Sequence, residues 1–167
     1  LSLRRQRQMC IRDRLISLGS KVELIKEKNI IKITNNKKHK LIVPYNLVST
    51  MRAGVLTMGP LLARYPKSKI RVALGGGCAL GIRDTSWHLS GFKSLGADNT
   101  LNRGYVNIYS KNGLKGNIFK FPKVTVTGSS NLIMASVLIK GEHIIKNISI
   151  EPEVCLLYTS PSPRDRG

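Results

Sequence analysis

The sequence predicts an α/β fold, and three observations carry that prediction. Short runs rich in Ile, Val and Leu alternate with longer segments whose apolar residues recur at helical spacing. One phrase is echoed: SLGSKVELIKEKNIIKI at 17–33 and SLGADNTLNRGYVNIYSKNGLKG at 94–116, each a helix end, Ser-Leu-Gly and then a β meander. The chain has 167 residues and 41% hydrophobic content, enough to bury the core of one domain. Strand–helix–strand units with a strand pair between helices give mixed strand pairing.

The elements follow in chain order. Leu15 to Val22 reads as a helix end, a stop at Gly19 and the entry to a strand. Val22–Ile25 and Ile30–Ile33 are β-rich runs around the polar turn Lys26-Glu27-Lys28-Asn29, and Leu41–Val43 is a further strand after a charged loop. Pro44 opens one long helix, with Leu47, Met51, Val55, Met58, Leu61 and Leu62 on its apolar face, ending near Tyr65-Pro66. Lys69–Leu74 is a strand leading into the glycine loop Gly75-Gly76-Gly77-Cys78-Ala79-Leu80-Gly81, and Thr85–Leu95 is a second helix. Tyr105–Tyr109 and Leu114–Phe119 are expected to pair through Ser110–Gly113. Val124–Val126 is expected as a short strand, Gly128–Ile139 as a helix and His143–Ile148 as a strand.

The two ends differ in character from the rest. Met9 to Asp13 can be encoded by ATG TGT ATA AGA GAC. With AG before and A after, the reverse complement begins TGT CTC TTA TAC ACA TCT, which encodes Cys155-Leu156-Leu157-Tyr158-Thr159-Ser160. The ends thus read as opposite strands of one inverted repeat, similar to the transposon end in sequencing-library adapters. Residues 1–14 and 155–167 are accordingly expected to be translated adapter, leaving 15–154 as the native segment.

The formal net charge is +19, a balance suited to an anionic partner. The ends hold seven of the 28 basic and two of the nine acidic residues, so the native segment keeps 21 against seven, a net +14. There Lys outnumbers Arg by 16 to 5 and Ile and Asn abound, as an AT-rich coding sequence produces without any selected binding face. With one Trp, three Phe and no aromatic-basic strand motif, a basic nucleic-acid-binding module is the weaker alternative, and no nucleic-acid partner is expected. No apolar run reaches the roughly 18 residues of a membrane span. No leader is visible, so a cytoplasmic chain with no membrane partner is the expectation. Cys10, Cys78 and Cys155 have no metal-ligand spacing, and neither a metal nor a cofactor is expected.

Cys78 is the candidate catalytic residue. It lies between a strand end and a helix start, where backbone N–H groups, the helix N-terminus and nearby Arg83 would lower a thiol's pKa. Against this stands the ordinary role of a free cysteine as a small buried hydrophobe. The glycines match neither a dinucleotide fingerprint nor a P-loop. His88, ten residues on, could pair with a thiol nucleophile, but a helix-surface histidine is the simpler reading. Arg52 interrupts an apolar helix, where a charge needs a partner, either a bound anion or an internal carboxylate.

Three stretches resemble the bacterial UDP-N-acetylglucosamine enolpyruvyl transferases: PYNLVSTMRAGVLTMGPLLARYP, GGCALGIRDTSWHLSGFKSLGA and GYVNIYSKNGLKGNIFKFPKVTVTGSSNLIMASVL, followed by EPEV. The resemblance implies a fragment of an inside-out α/β barrel domain made of repeated βαβ-type units with helices inward. It implies transfer of enolpyruvate from phosphoenolpyruvate to the 3′-hydroxyl of UDP-N-acetylglucosamine, the opening step of peptidoglycan synthesis. On this reading Cys78 protonates the developing methyl group and is the thiol fosfomycin alkylates. Arg52 and Arg83 meet anionic substrate groups, and Lys123, Val124, Thr125 and Val126 form a loop touching the UDP-sugar. Where the family carries Arg-Pro-Val-Asp-x-His, this chain has Arg83-Asp84-Thr85-Ser86-Trp87-His88. Residues Asp84, Thr85, Ser86 and Trp87 thus stand at the uridine contact, with a carboxylate that would repel a diphosphate. The family's N-terminal Lys-Asn pair and its second domain find no place in 15–154, so this chain by itself is expected to be inactive. The related shikimate-pathway synthases share the fold but do not centre on a loop cysteine.

Overall fold

The computed structural model describes residues 11–25, 30–35, 39–48, 52–74 and 85–159. Helix α1 covers 11–17. Then come β1 Ser20–Ile25, β2 Ile30–Asn35, β3 Ile42–Val43, α2 Tyr45–Val48, a 3₁₀ segment Arg52–Thr57, α3 Met58–Arg64 and β4 Ile70–Ala73. They are followed by α4 Ser86–Ser94, β5 Asp98–Asn102, β6 Tyr105–Tyr109, β7 Ile118–Lys120, α5 Val126–Ser136, β8 Ile144–Lys146 and α6 Pro152–Thr159.

Among the described residues the strands form three sheets, ordered β1-β2, β3-β4-β6-β5 and β7-β8. β3 runs parallel to β4, and β7 parallel to β8. Parallel neighbours need a crossover. The α2–3₁₀–α3 stretch supplies the first and α5 the second. Helix α5 packs chiefly on α3, α4, α6 and the 3₁₀ segment, whereas β4 and β6 lie against α3 and β5 against α4. Helices therefore occupy the interior and sheets the outside, as the inside-out reading expects.

The interior joins Met58 and Leu62 of α3, Phe92 of α4 and Leu132 of α5 to Ile70, Val72, Val106 and Ile108 of the sheet, each at most 1% exposed. Burying each such side chain contributes about 1.5–3 kcal/mol. Small residues let the helices approach: Gly59 lies against the Asn131 backbone and Gly91 against the Leu132 side chain.

The echoed phrases are matched in structure. Ser17 Oγ donates to Arg14 O and Ser94 Oγ to Gly91 O, both at 2.7 Å. Leu18 and Leu95 are buried, and Gly19 (φ 100°) and Gly96 (φ 88°) reverse the chain in the left-handed region that glycine tolerates. An antiparallel hairpin follows each, with the same register: Lys21↔Thr34 corresponds to Asp98↔Tyr109 and Leu24↔Ile31 to Leu101↔Val106.

Three expectations need correction. The helix from Pro44 to Leu62 is not continuous but passes through a 3₁₀ segment. Pro60 has no N–H to continue the ladder, so it sits in the first turn of a new helix, where none is required. Thr57 Oγ also donates to Gly54 O at 2.7 Å, closing the preceding turn on itself. Next, β6 pairs with β5 rather than with Leu114–Phe119. Arg103 (φ 49°) and Gly104 (φ 74°) form a two-residue turn with both φ positive, the geometry that matches strand twist in tight hairpins. The 110–113 turn is instead closed by Ser110 Oγ, which donates toward Gly96 O and Gly113 O. Last, Val124–Val126 is no strand: Thr125 is extended as the N-cap and the helix begins at Val126. Helix α6 runs through position 155 to Thr159, across the adapter boundary read from the sequence.

Candidate functional site

Cys78, Arg83 and Asp84 lie outside the described residues. The remaining site residues fall on elements whose geometry is clear. Arg52 opens the 3₁₀ segment. Thr85 occupies the N-cap position of α4 without a side-chain capping bond. Ser86 and Trp87 form the first turn of α4, Ser86 exposed and Trp87 half-buried against the core. Lys123 and Val124 are exposed just ahead of α5, Val126 is its first residue, and Thr125 caps it by accepting from Gly128 N at 3.3 Å. Such a cap fixes where the helix starts and so how the Lys123–Val124 turn projects.

A buried polar network ties these elements together. His88, expected on a helix surface, is only 4% exposed, and Asn131 is fully buried. Asn131 Nδ2 donates to Val55 O at 2.9 Å, and Asn131 Oδ1 accepts from Gly59 N at 2.8 Å. Two backbone groups therefore fix which way the amide faces. Asn131 Nδ2 also lies 3.0 Å from His88 Nδ1, so Nδ1 must accept. The imidazole then carries its proton on Nε2, which points to Thr127 Oγ1 at 3.4 Å. The surface reading of His88 failed because α4 packs on α5 along the flank that bears this histidine.

The same contacts give direction. His88 meets Thr127 and Asn131, and Gly91, one turn on, meets Leu132, so α4 and α5 run the same way. β4 and β5 run the same way, both antiparallel to β6, and α3 and α4 each end just before one of these strands begins, so the 3₁₀–α3 stretch runs the same way as α4. The starts of α4 and α5 and the start of the 3₁₀ segment consequently lie at one end of the helix layer. Thr85–Trp87, Lys123–Val126 and the backbone of Arg52 are brought to that end together. Exposed N–H groups of helix starts carry partial positive charge and suit phosphate and carboxylate groups.

Asn131 and Thr127 were not singled out from the sequence. The usable signal was an Asn directly ahead of the apolar run Leu132-Ile133-Met134-Ala135, since a buried amide must be satisfied. Among the described residues no cluster of three or more His, Cys, Asp or Glu could hold a metal ion. No described helix is long and apolar enough to cross a membrane.

Two solved enolpyruvyl transferase structures share this arrangement of inner helices wrapped by mixed sheets. The enolpyruvyl transferase NikO from Streptomyces tendae superposes with a TM-score of 0.70 at 12% identity, over 90% of this chain and 35% of NikO. The EPSP synthase from Acinetobacter baumannii gives 0.58 at 17% identity, over 82% of this chain and 31% of that one. The chain belongs to the EPSP synthase (3-phosphoshikimate 1-carboxyvinyltransferase) family, whose model matches residues 11–159. Within it the chain is similar to proteins named UDP-N-acetylglucosamine 1-carboxyvinyltransferase. It is 46% identical over 130 residues to that of Endomicrobium trichonymphae (78% of this chain, 31% of the relative). It is 46% identical over 140 residues to that of Pelagibacter ubique (84% and 33%) and 45% identical over 140 residues to that of Trichlorobacter lovleyi (84% and 32%). The chain thus spans about a third of the length of these curated relatives.

Proposed function

We propose that the whole protein to which this chain belongs transfers the enolpyruvyl group of phosphoenolpyruvate to the 3′-hydroxyl of UDP-N-acetylglucosamine. The observation that carries this reading is the convergence of Thr85–Trp87 and Lys123–Val126 on one end of the helix layer. Identity of 40–46% to the UDP-N-acetylglucosamine enzymes supports the choice of acceptor over shikimate 3-phosphate. In this reaction the sugar hydroxyl oxygen bonds to C2 of phosphoenolpyruvate and a proton adds to C3. Collapse of the resulting phosphorylated ketal breaks the C2–O bond, returns a proton from C3 and releases phosphate. Cys78 is the proton donor to C3, since a thiol gives up a proton near neutral pH more readily than a hydroxyl. Arg52 and Arg83 hold the anionic groups, and Lys123–Val126 contact the UDP-sugar. Asp84 to Trp87, in place of the family's Pro-Val-Asp run, set how the uridine is received.

The test is phosphate release by the whole protein with UDP-N-acetylglucosamine or shikimate 3-phosphate as acceptor. Release with the first alone, lost in Cys78→Ala, is the expected result. Release with shikimate 3-phosphate alone would overturn the assignment. This 167-residue chain, about a third of such an enzyme, is expected to release none. Residues 1–14 and 155–167 are proposed to be translated adapter; untrimmed genomic reads test this, and should continue the family's frame beyond Leu15 and Val154.

A further inference from the structure

Helix α4 begins without the device that fixes the start of α5. Thr125 caps α5 through its hydroxyl, whereas Thr85 makes no side-chain capping bond at the start of α4. The group that reaches across from the first turn of α4 is His88. Its Nε2 meets Thr127 Oγ1, in the first turn of α5, at 3.4 Å. Its Nδ1 accepts from Asn131 Nδ2 at 3.0 Å, one turn further along α5. Asn131 is bonded in turn to Val55 O, in the 3₁₀ segment that Arg52 opens, and to Gly59 N of α3.

One buried imidazole therefore links the three helix starts that share the site end of the layer. Its two nitrogens have different duties. The Asn131 amide cannot turn over without losing both backbone partners, so Nδ1 is kept as an acceptor and Nε2 as a donor. The Nδ1 bond ties α4 to the interior of the helix layer. The Nε2 bond ties the Ser86–Trp87 turn to the turn that Lys123–Val126 form.

We propose that His88 is a positioning residue for the sugar-nucleotide acceptor: through Nε2–H and Thr127 it sets the spacing between these two turns. This rests on the function proposed above, in which Ser86 and Trp87 help receive the uridine and Lys123–Val126 contact the UDP-sugar. A ligand that spans two turns fits one spacing best. Loss of the spacing weakens ground state and transition state alike, which raises KM and leaves kcat.

Two substitutions in the whole protein separate the two nitrogens. In His88→Asn, Oδ1 takes the place of Nδ1 and still accepts from Asn131, but nothing reaches Thr127. In His88→Gln, Nε2 takes the place of the ring Nε2 and still donates to Thr127, but Asn131 loses its partner. Phosphate release is followed with UDP-N-acetylglucosamine varied, and melting temperature is measured beside it. His88→Asn is expected to raise the KM for UDP-N-acetylglucosamine by about five- to tenfold, the worth of one hydrogen bond, with kcat within about twofold of the parent. His88→Gln is expected to keep the KM near that of the parent while melting lower than His88→Asn. A merely structural histidine gives a KM that follows stability, and that result would overturn the proposal. If His88→Asn fails to fold, Thr127→Val decides, since it leaves Asn131 with all its partners: a raised KM supports the proposal and an unchanged one overturns it. If both fold, their double variant should have a KM no higher than either alone, because both remove one bond. A KM that rises by the product of the two single effects would give them separate roles and overturn it. No release by the unaltered protein with UDP-N-acetylglucosamine would overturn the proposed function and this inference with it, whereas release with an unchanged KM in His88→Asn overturns the inference alone.

Discussion

Replacing Gly59 by Ala probes the helix layer that holds the site together. A Cβ built at Gly59 would stand 2.3 Å from the Asn131 carbonyl oxygen and 2.7 Å from Asn131 Oδ1. Ordinary carbon–oxygen contacts begin near about 3.3 Å, so α3 and α5 would have to part by about 1 Å. Neither obstacle is the far end of a flexible side chain: one is backbone, and the other is an amide already held by Val55 O and Gly59 N. Overpacking of this kind costs about 1–3 kcal/mol. Stretching two bonds of a buried amide adds about 1–3 kcal/mol. The better helix propensity of Ala offsets about 1 kcal/mol. The net loss is about 3 kcal/mol, which for a chain of this size lowers the melting temperature by about 6–12 °C. Thermal and urea unfolding followed by circular dichroism give the number. A variant that melts at or above the parent temperature would refute the close approach of α3 to α5.

Other outcomes follow from the same geometry. Thr125→Ala removes the N-cap of α5 and should cost about 1 kcal/mol in urea unfolding, with Thr125→Ser recovering most of it. Asn131→Leu should cost about 2–4 kcal/mol, because the buried Gly59 N–H and Val55 carbonyl lose their partner; nitrogen NMR of the unaltered chain should show His88 protonated on Nε2. Gly96→Ala should cost about 1 kcal/mol from the left-handed turn, whereas Gly91→Ala tests only the contact with Leu132. The exposed Lys21–Glu23 pair, 2.7 Å apart, holds the Glu23 carboxyl below its ordinary value and the Lys21 ammonium above its own. The Glu23 contribution is therefore present above the ordinary glutamate range and fades as pH falls through the lowered value. The Lys21 contribution is present below the ordinary lysine range and fades as pH rises through the raised one. A carbon-detected titration of Glu23, moved back upward in Lys21→Met, checks the first.

Local chemistry made much of this fold legible. Gly19 and Gly96 marked helix ends because only glycine enters the left-handed region cheaply, and each is followed by a hairpin, the first between the expected strands and the second between β5 and β6 instead of β6 and Leu114–Phe119. The echo of Ser-Leu-Gly exposed the repeat before any strand pairing was known. Periodicity failed where two readings shared one pattern. The apolar spacing from Leu47 to Leu62 reads as one helix, but the chain is 3₁₀ over Arg52–Thr57, where the missing N–H of Pro60 and the bond from the Thr57 hydroxyl to Gly54 O both favour a break. The partner of β6 was missed because Asn102-Arg103-Gly104 is a weaker hairpin signal than the Lys-Asn-Gly at 111–113, which the structure uses for a connecting turn tied by Ser110. At the site, the resemblance named the residues, and packing supplied what spacing could not: that Thr85–Trp87 and Lys123–Val126 share one end. His88 and Asn131 illustrate the limit, because a polar residue on a helix reads as exposed until a second helix covers it.

In the whole protein, the reactivity of Cys78 tests the proposed chemistry most directly. Alkylation by an epoxide such as fosfomycin, located by mass spectrometry, should modify Cys78 and be slowed by phosphoenolpyruvate together with UDP-N-acetylglucosamine. No modification of Cys78, or modification indifferent to both substrates, would contradict a catalytic role for this loop.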